Sequence, residues 1–492
     1  MTAPQAPPGA IATRLLEHVE AALDWPFGSR CNPLRHLGAL GFFLFWVIVG
    51  SGIYLYFAFD ATATGAYRSI DELSRTPIGA LARGLHRYAS DAFVVVIALH
   101  LLREALRGRF IGARWLPWVT GVALLWLVYA SGIGGYWLAW DEVAQFSLTA
   151  TAEWLDWLPL FGFALVRNFL ESGQMSDRFY SLLVFLHIGV PLFLLLGMWL
   201  HIQRVVRADV NPRRALALGT LAMLAVLSAA KPALSEGPAD VTAMPLQLPL
   251  DWWLLFVHPV MYRTSPAALW MGAAGLTALL AALPWLARAP RAPVARVSLA
   301  NCNGCGRCFA DCPFGAVVIA PRSDAKRAAG EARVIPELCV ACGICAGACP
   351  SSTPFRSVAE LVTGIDMPQR PLAALRERLE RVLAGLGGGP RVVVFGCDRA
   401  ADVRRLARAD TAAVSLLCTG QLPPSFVEYA LRSGADGVLV SGCARDGCHF
   451  RLGDEWVEQR LTGRSQDEVD YARAAAALAR ALIRIQVAGR RR

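Results

Sequence analysis

Four histidines fall into two pairs, His86 with His100 and His187 with His201, each pair 14 residues apart within a long apolar stretch. Four helical turns take about 14.4 residues, so the members of a pair share one helix face and lie roughly 21 Å apart along the axis. That is two storeys within a bilayer core about 30 Å thick. Imidazoles projecting from facing helices are suitable axial ligands for haem iron, and two such helices would hold two haems, one above the other. Glycines repeat the spacing on the neighbouring stretches: Gly38 with Gly52, and Gly121 with Gly135. Glycine lets a bulky ring approach the backbone closely. A lone membrane histidine is often only hydrogen-bonded to a carbonyl, but four at matched spacing with matched glycines argue for ligation.

The elements that must position these residues are apolar helices. The chain has 492 residues, of which 55% are apolar and 17% charged, with a mean hydropathy of +0.42. This exceeds what a soluble protein carries. Apolar runs at 37–59, 89–107, 115–138, 180–203, 214–230 and 267–287 predict about six transmembrane helices. Residues 1–36 are Pro/Ala-rich and polar and carry no signal-peptide pattern.

Arginines follow helix 2 (Arg107, Arg109, Arg114), helix 4 (Arg204, Arg207, Arg213, Arg214) and helix 6 (Arg288, Arg291, Arg296), which marks those ends as cytoplasmic. The loop after helix 3 is acidic instead (Asp141, Glu142, Glu153, Asp156, Glu171, Asp177). The loop after helix 1, with Arg68, Arg75, Arg83 and Arg87, runs against the trend. Both termini are expected in the cytoplasm of a bacterial cell, with the protein multi-pass in its inner membrane. The net charge of +10 suits anionic lipid rather than nucleic acid. In this topology His86 lies at the depth of His187, and His100 at that of His201.

Residues 30–205 resemble cytochrome b of the bc-type quinol-oxidising complexes. The resemblance rests on Arg83-Gly-Leu-His86-Arg-Tyr, Leu99-His100-Leu-Leu-Arg103 and Gly134-Gly135-Tyr136-Trp137-Leu138-Ala139-Trp140. It implies that Arg83 and Arg103 face haem propionates. The family's Pro-Trp-Gly is replaced here by Ala139-Trp140-Asp141. Pro249-Leu-Asp251-Trp252-Trp253 echoes the family's Pro-Glu-Trp-Tyr signature and would make Asp251 a proton acceptor, with Asp141 and Glu142 as further candidates. Cys31 is expected to be a free thiol, and His36 and His258 to be solvated or hydrogen-bonded rather than ligands; His36, on the expected cytoplasmic side, is also placed to serve a quinone as a proton partner.

Cys302-x2-Cys305-x2-Cys308-x3-Cys312-Pro313 recurs as Cys339-x2-Cys342-x2-Cys345-x3-Cys349-Pro350. Each is the bacterial two-cluster ferredoxin run, in which three close thiolates wrap one cubane and the fourth reaches across to the other. Cys302, Cys305, Cys308 and Cys349 are thus assigned to one 4Fe-4S cluster, and Cys339, Cys342, Cys345 and Cys312 to the second. Residues 296–352 resemble an eight-iron ferredoxin. Zinc sites or disulfides are the alternative, disfavoured on a cytoplasmic segment.

In residues 390–460, Arg391–Phe395 and Gly437–Ser441 read as buried strands with a helix over Phe426–Ser433 between them. Cys418-Thr-Gly-Gln-Leu-Pro-Pro-Ser-Phe and Gly434 to Phe450, including Cys443, Cys448 and His449, resemble the delta subunit of methyl-viologen-reducing hydrogenases. That family carries a 2Fe-2S cluster and docks on a heterodisulfide-reductase-like flavoprotein. Its first motif has cysteines three apart, whereas Cys397 is followed by Ala400. Cys397, Cys418, Cys443 and Cys448 suffice for one cluster; buried structural thiols are the alternative. His449 is expected to support the motif by hydrogen bonding.

The expected fold is therefore a membrane all-α helical bundle with a four-helix haem core, followed by an α+β ferredoxin domain and a small α/β iron–sulfur domain. Its segments are 1–36 (N-terminal), 37–210 (di-haem bundle), 211–288 (two further helices), 296–355 (ferredoxin), 388–465 (2Fe-2S domain) and 466–492 (C-terminal helix and basic tail). No nucleophile–base set, phosphate loop or dinucleotide fingerprint is present in the sequence. The expected function is a subunit of a quinone-linked oxidoreductase, joining the quinone pool through two b haems to cytoplasmic clusters and a soluble flavin- and cluster-containing partner. A homodimer is the prior from cytochrome b. The rivals are a redox-responsive membrane anchor and a wire ending on an outer-side c-type cytochrome.

Overall fold

The computed structural model describes residues 10–111, 114–159, 177–203, 208–240, 242–243, 247–287, 293–324, 330–358, 360–400, 402–443 and 448–463. Expectations resting on Glu171, Arg204, Arg207, Arg288, Arg291, the helix over 468–487 and the tail 490–492 lie outside the described residues. The chain forms two compact units, residues 1–203 with 208–287 and residues 288–492.

The first unit is helical: α1 (Ala10–Phe27), α2 (Leu37–Ala58), α3 (Ala66–Ser74), α4 (Pro77–Leu106), α5 (Trp115–Trp137), α6 (Glu142–Asp156), α7 (Asp177–Ile202), α8 (Arg214–Ala230), α9 (Val257–Arg263) and α10 (Pro266–Leu286). A helix stands at each of the six apolar runs. Of these, α2, α5, α7 and α10 are long and apolar enough to cross a membrane. The 17 residues of α8 reach only about 26 Å, and α4 carries Arg83, Arg87, Asp91, Arg103 and Glu104. Length and composition thus mark four of the six expected spans. Only 22% of the apolar windows of α2, α5 and α7 is buried, and none of that of α10. Outward apolar surface on this scale is unfavourable in water and at home among lipid tails.

Helix α2 packs along α4, α5 along α7, and α8 against α4. Leu44, Phe45, Phe93, Val128, Leu194 and Leu224 form the shared core. Helix α4 begins well before its apolar run because Thr76 caps it, accepting from the Gly79 amide, and Pro77 presets the first turn. Its polar first half is paired within the protein. Arg83 donates to the Ser74 and Ser235 hydroxyls, and Arg87 pairs with Asp91 and Asp251.

Four helices of this unit lie outside the six apolar runs, α1, α3, α6 and α9, and two of them carry charged contacts. Helix α6 fills the acidic loop, capped by Asp141, which accepts from the Ala144 amide. Helix α1 occupies the N-terminal segment and contributes Glu20, which is buried and bonds Arg103 (2.9 Å) and Arg107 (2.5 Å). Arg35 stands 3.8 Å from the same carboxylate.

The second unit begins with β1 (Arg296–Val297), α11 (Arg307–Ala310), β2 (Val317–Pro321), β3 (Gly330–Val334), α12 (Ile344–Ala348) and β4 (Ile365–Asp366). Strands β1 and β4 pair antiparallel, as do β2 and β3. The two cysteine runs fold alike: Gly306 and Gly343, both at φ 80°, open α11 and α12. Only glycine takes this left-handed turn without strain.

Then come α13 (Leu372–Ala384), β5 (Val392–Cys397), β6 (Thr411–Leu416), α14 (Pro424–Arg432), β7 (Gly437–Ser441) and α15 (Gly453–Thr462). The sheet order is β6-β5-β7, all parallel. Phe395, Leu416 and Phe426 lie fully buried at its centre with Leu375 and Leu379 of α13.

Removing the Glu20 carboxylate would leave Arg103 and Arg107 buried without their counter-charge. Glu20→Ala is expected to cost about 3 kcal/mol, read as a lower thermal midpoint of the detergent-solubilised protein. An unchanged midpoint would show that α1 contributes nothing to the bundle.

Candidate metal centres

His86 and His100 project from α4, His187 and His201 from α7. The His86 and His187 rings face each other with centroids 6.2 Å apart. Two imidazoles bound on opposite sides of one metal at about 2.1 Å put their centroids roughly 6 Å apart. The backs of the rings are held. Nδ1 of His86 lies 3.0 Å from the Ile48 carbonyl and 3.2 Å from the Ser51 hydroxyl. Nδ1 of His187 lies 3.1 Å from the Ser131 carbonyl, and Nδ1 of His201 3.1 Å from the Thr120 hydroxyl. A carbonyl only accepts, so at His86 and His187 Nδ1 carries the hydrogen and Nε2 keeps the lone pair that a metal requires.

The four glycines stand behind these rings. A Cβ on Gly52 would lie 3.0 Å from His86 Cε1, on Gly135 2.8 Å from His187 Cε1, on Gly121 3.1 Å from His201 Cε1, and on Gly38 3.5 Å from His100 Cε1. Helices α2 and α5 thus each back one histidine at each storey. Arg103 keeps a buried Nη2 with no hydrogen-bond partner among the described residues, which suits an anionic group such as a haem propionate. Arg83 is engaged by the two serines.

Beside the His86–His187 pair lies a polar cluster whose connections the sequence did not disclose. The buried Asp251 accepts through Oδ2 from Arg87 Nη1 (2.6 Å) and the Tyr136 hydroxyl (2.5 Å). Its Oδ1 accepts from the Trp253 amide (2.8 Å). Burial pushes this carboxyl up, but the Arg87 guanidinium and the Tyr136 hydroxyl outweigh it and hold it below the usual carboxylate range. Arg87 follows His86, and Tyr136 follows Gly135, so the chain itself ties Asp251 to this storey.

The other candidates have local work. Asp141 gives one oxygen to the Ala144 amide and the other to the Glu236 amide; burial raises its carboxyl. Glu142 donates its amide to the Gly237 carbonyl. His36 is buried, with Nε2 3.0 Å from the Arg30 carbonyl and Nδ1 3.6 Å from Asp209. Nε2 of His258 lies 3.0 Å from the Thr151 hydroxyl. Cys31 is a free, half-buried thiol.

In the second unit the thiols gather in three sets. Cys302, Cys305, Cys308 and Cys349 line one pocket. Cys312, Cys339, Cys342 and Cys345 line another. The last cysteine of each run has crossed to the other's set. Burial and neighbouring thiols push Cys308 up to about 12. Burial first, and then Cys312 and Cys339, does the same to Cys342. Such thiols ionise readily only beside a positive metal centre. Four thiols around each pocket are the donor set of an iron–sulfur cube.

The third set is made by the parallel sheet. Cys397 ends β5, Cys418 follows β6 and Cys443 follows β7, so three thiols converge at the carboxyl ends of the strands, where open α/β sheets place their ligands. Sγ of Cys443 lies 3.9 Å from that of Cys397. A Cβ on Gly453 would lie 2.1 Å from Cys418 Sγ and 3.4 Å from Cys448 Sγ. All four thiols are buried and suit a small cluster. His449 packs edge-on against Phe450.

Arg460 of α15 joins the two iron–sulfur regions. Its guanidinium donates to the Asp311 carboxylate (2.6 Å), the Gly420 carbonyl (2.8 Å) and the Ile344 carbonyl (3.3 Å). Trp456 adds a bond to the Asp311 carbonyl.

Comparison with known families agrees with this layout. Residues 23–208 match the cytochrome b/b6/petB profile, residues 301–353 the 4Fe-4S dicluster domain, and residues 392–466 the delta subunit of methyl-viologen-reducing hydrogenase. A match to the long α-helix domain of the ATP synthase delta/epsilon chain covers residues 458–489, nearly all outside the described part. A solved chain of a hyperthermophilic respiratory Complex III is similar at 20% identity and a TM-score of 0.43, over 52% of this chain and 75% of that one. The chain is a multi-pass membrane electron-transfer subunit that combines a cytochrome b/b6 domain with an iron–sulfur domain.

Arg460→Ala would leave a half-buried carboxylate and two carbonyls short of their donor. The expected cost of about 3 kcal/mol should appear as roughly hundredfold faster hydrogen exchange at the Gly420–Leu422 amides. Unchanged exchange would show that this contact does not hold the two regions together.

Proposed function

We propose that this chain carries electrons between the quinone pool and a soluble flavin- and cluster-containing oxidoreductase resembling heterodisulfide reductase. The path uses two b haems, two 4Fe-4S clusters and one 2Fe-2S cluster. Each of these groups, when bound, accepts and releases one electron at a time. His86 with His187 and His100 with His201 would each hold one haem, Arg103 would offer charge to a propionate, and the three thiol sets would hold the clusters. The second unit lies in the bacterial cytoplasm, where the soluble partner meets the delta-like domain, and the favoured direction is quinone reduction.

The observation that carries the quinone reading is the buried Asp251 carboxylate, tied by Arg87 and Tyr136 to the His86–His187 storey. Quinone takes up two electrons with two protons, so its site needs an ionisable group beside a haem. Asp251 shares its Oδ2 between a guanidinium and a hydroxyl, which lets a proton be passed between side chains. An anchor for a soluble enzyme would have no use for such a group at a haem.

The test is anaerobic stopped-flow mixing of the reduced, purified protein with a soluble quinone, following haem and cluster absorbance together. Haems and then clusters should reoxidise within seconds, and a quinone-site inhibitor should block this. Asp251→Asn should slow the quinone-dependent phase about 100-fold while leaving the reduced haem spectrum intact. Haems that stay reduced in the unmodified protein would sink the quinone reading in favour of an outer-side protein acceptor or a redox-responsive anchor. Gly135→Val should displace the His187 ring and lose one of the two haems in a pyridine haemochrome assay; full retention would overturn the ligand assignment at that storey.

A further inference from the structure

The three thiol sets are not equivalent neighbours. Helix α12, which carries Cys345 and follows Cys342, lies directly against the loop that carries Cys418. A Cβ on Gly347 would lie 2.3 Å from the Gly420 carbonyl oxygen, and one on Gly343 3.0 Å from Gln421 Cγ. A Cβ on Gly420 would meet Ile344 Cγ1 at 2.9 Å. Backbones this close are possible only because the facing positions are glycine. Ile344 is fully buried in the junction. It lines the pocket of the Cys339 set, and its Cδ1 stands 3.7 Å from the Cβ position of Gly453, whose other neighbours are Cys418 Sγ and Cys448 Sγ. A single side chain therefore spans from one thiol set to the other.

Arg460 fixes this register from the side, bonding Asp311 next to Cys312, Ile344 next to Cys345, and Gly420 in the Cys418 loop. The remaining set is placed differently. The pocket of Cys302, Cys305, Cys308 and Cys349 is lined by residues between 302 and 365, and Cys305 is exposed.

We infer that the Cys312, Cys339, Cys342 and Cys345 centre is the direct exchange partner of the Cys397, Cys418, Cys443 and Cys448 centre. The Cys302, Cys305, Cys308 and Cys349 centre is the next station. Electron transfer falls steeply with separation, so contact across one isoleucine sets the order. One electron passes between the two adjacent centres, one being oxidised and the other reduced, with no bond formed or broken. The donor is the reduced flavin protein in one direction and the quinol-fed haem pair in the other. Arg460 is a positioning residue for this step. The inference rests on the proposal that all three sets hold clusters.

The test is electron paramagnetic resonance of the full-length protein, purified anaerobically in detergent and reduced stepwise with dithionite. The 2Fe-2S signal should broaden and relax severalfold faster once the neighbouring cubane is reduced. This enhancement should be lost in Cys339→Ser and kept in Cys302→Ser. Arg460→Met, which leaves every cysteine in place, should weaken it while all cluster signals remain. Loss in Cys302→Ser with retention in Cys339→Ser would reverse the order, and an enhancement untouched by Arg460→Met would remove Arg460 from it. Absence of any 2Fe-2S signal beside intact haem and cubane signals would instead overturn the cluster assignment beneath the inference.

Discussion

The backbone carbonyl behind the imidazole is the constraint on which the membrane unit depends. His86 is held by the carbonyl of Ile48 and His187 by that of Ser131, while His201 meets the Thr120 hydroxyl. Each carbonyl lies four residues before the glycine that backs the same ring: Gly52 and Gly135. In a helix the carbonyl of residue i−4 lies beneath the side chain of residue i. A side chain there would cover it, and glycine leaves it open. The glycine and the hydrogen bond are thus one device, which sets the ring's orientation and its tautomer together.

Such a device works only if the helices hold their depth, and the charges at the two ends of α4 serve that need. Glu20 meets Arg103 and Arg107 at one end, and Asp251 meets Arg87 near the other. Charges in so dry a setting persist only when paired. The partners come from segments distant in the chain, so each pair also fixes where α1 and the loop before α9 sit on α4. A helix with five charged residues can in this way belong to an apolar bundle.

The legible part of the molecule is the part written in local repeats. Histidines and glycines at 14-residue spacing, and cysteines in two matching runs, mark positions whose geometry follows from the helix or the loop that carries them. The crossing of Cys312 and Cys349 between cavities follows from the run itself. Long-range partners leave no such mark. Glu20 sits in a stretch that reads as polar tail, and α1 is defined by what it covers. Strand β6 is Thr-Ala-Ala-Val-Ser-Leu, whose alanines mask an alternation that only burial reveals. Helix α13 does repeat Leu372, Leu375, Leu379 and Leu383 on one face, a periodic signal available in the sequence. Arg460 and Asp311 are 149 residues apart, and no spacing rule connects them.

The same distinction separates the acidic candidates. Asp141 and Asp251 are both buried carboxylates near the ends of transmembrane helices, and composition treats them alike. Asp141 spends both oxygens on backbone amides, one of them capping α6. An amide does not give up its proton, so protonating Asp141 would cost the helix its cap and move no proton onward. Asp251 gives only Oδ1 to an amide, that of Trp253, and turns Oδ2 to a guanidinium and a phenol, groups that hold charge or exchange a proton without loss of local structure. Its Oδ2 is paired with Arg87, which also binds Asp91 one turn further along α4. Burial alone therefore does not identify a proton acceptor; the chemistry of the hydrogen-bond donors does, and by that criterion Asp251 qualifies and Asp141 does not.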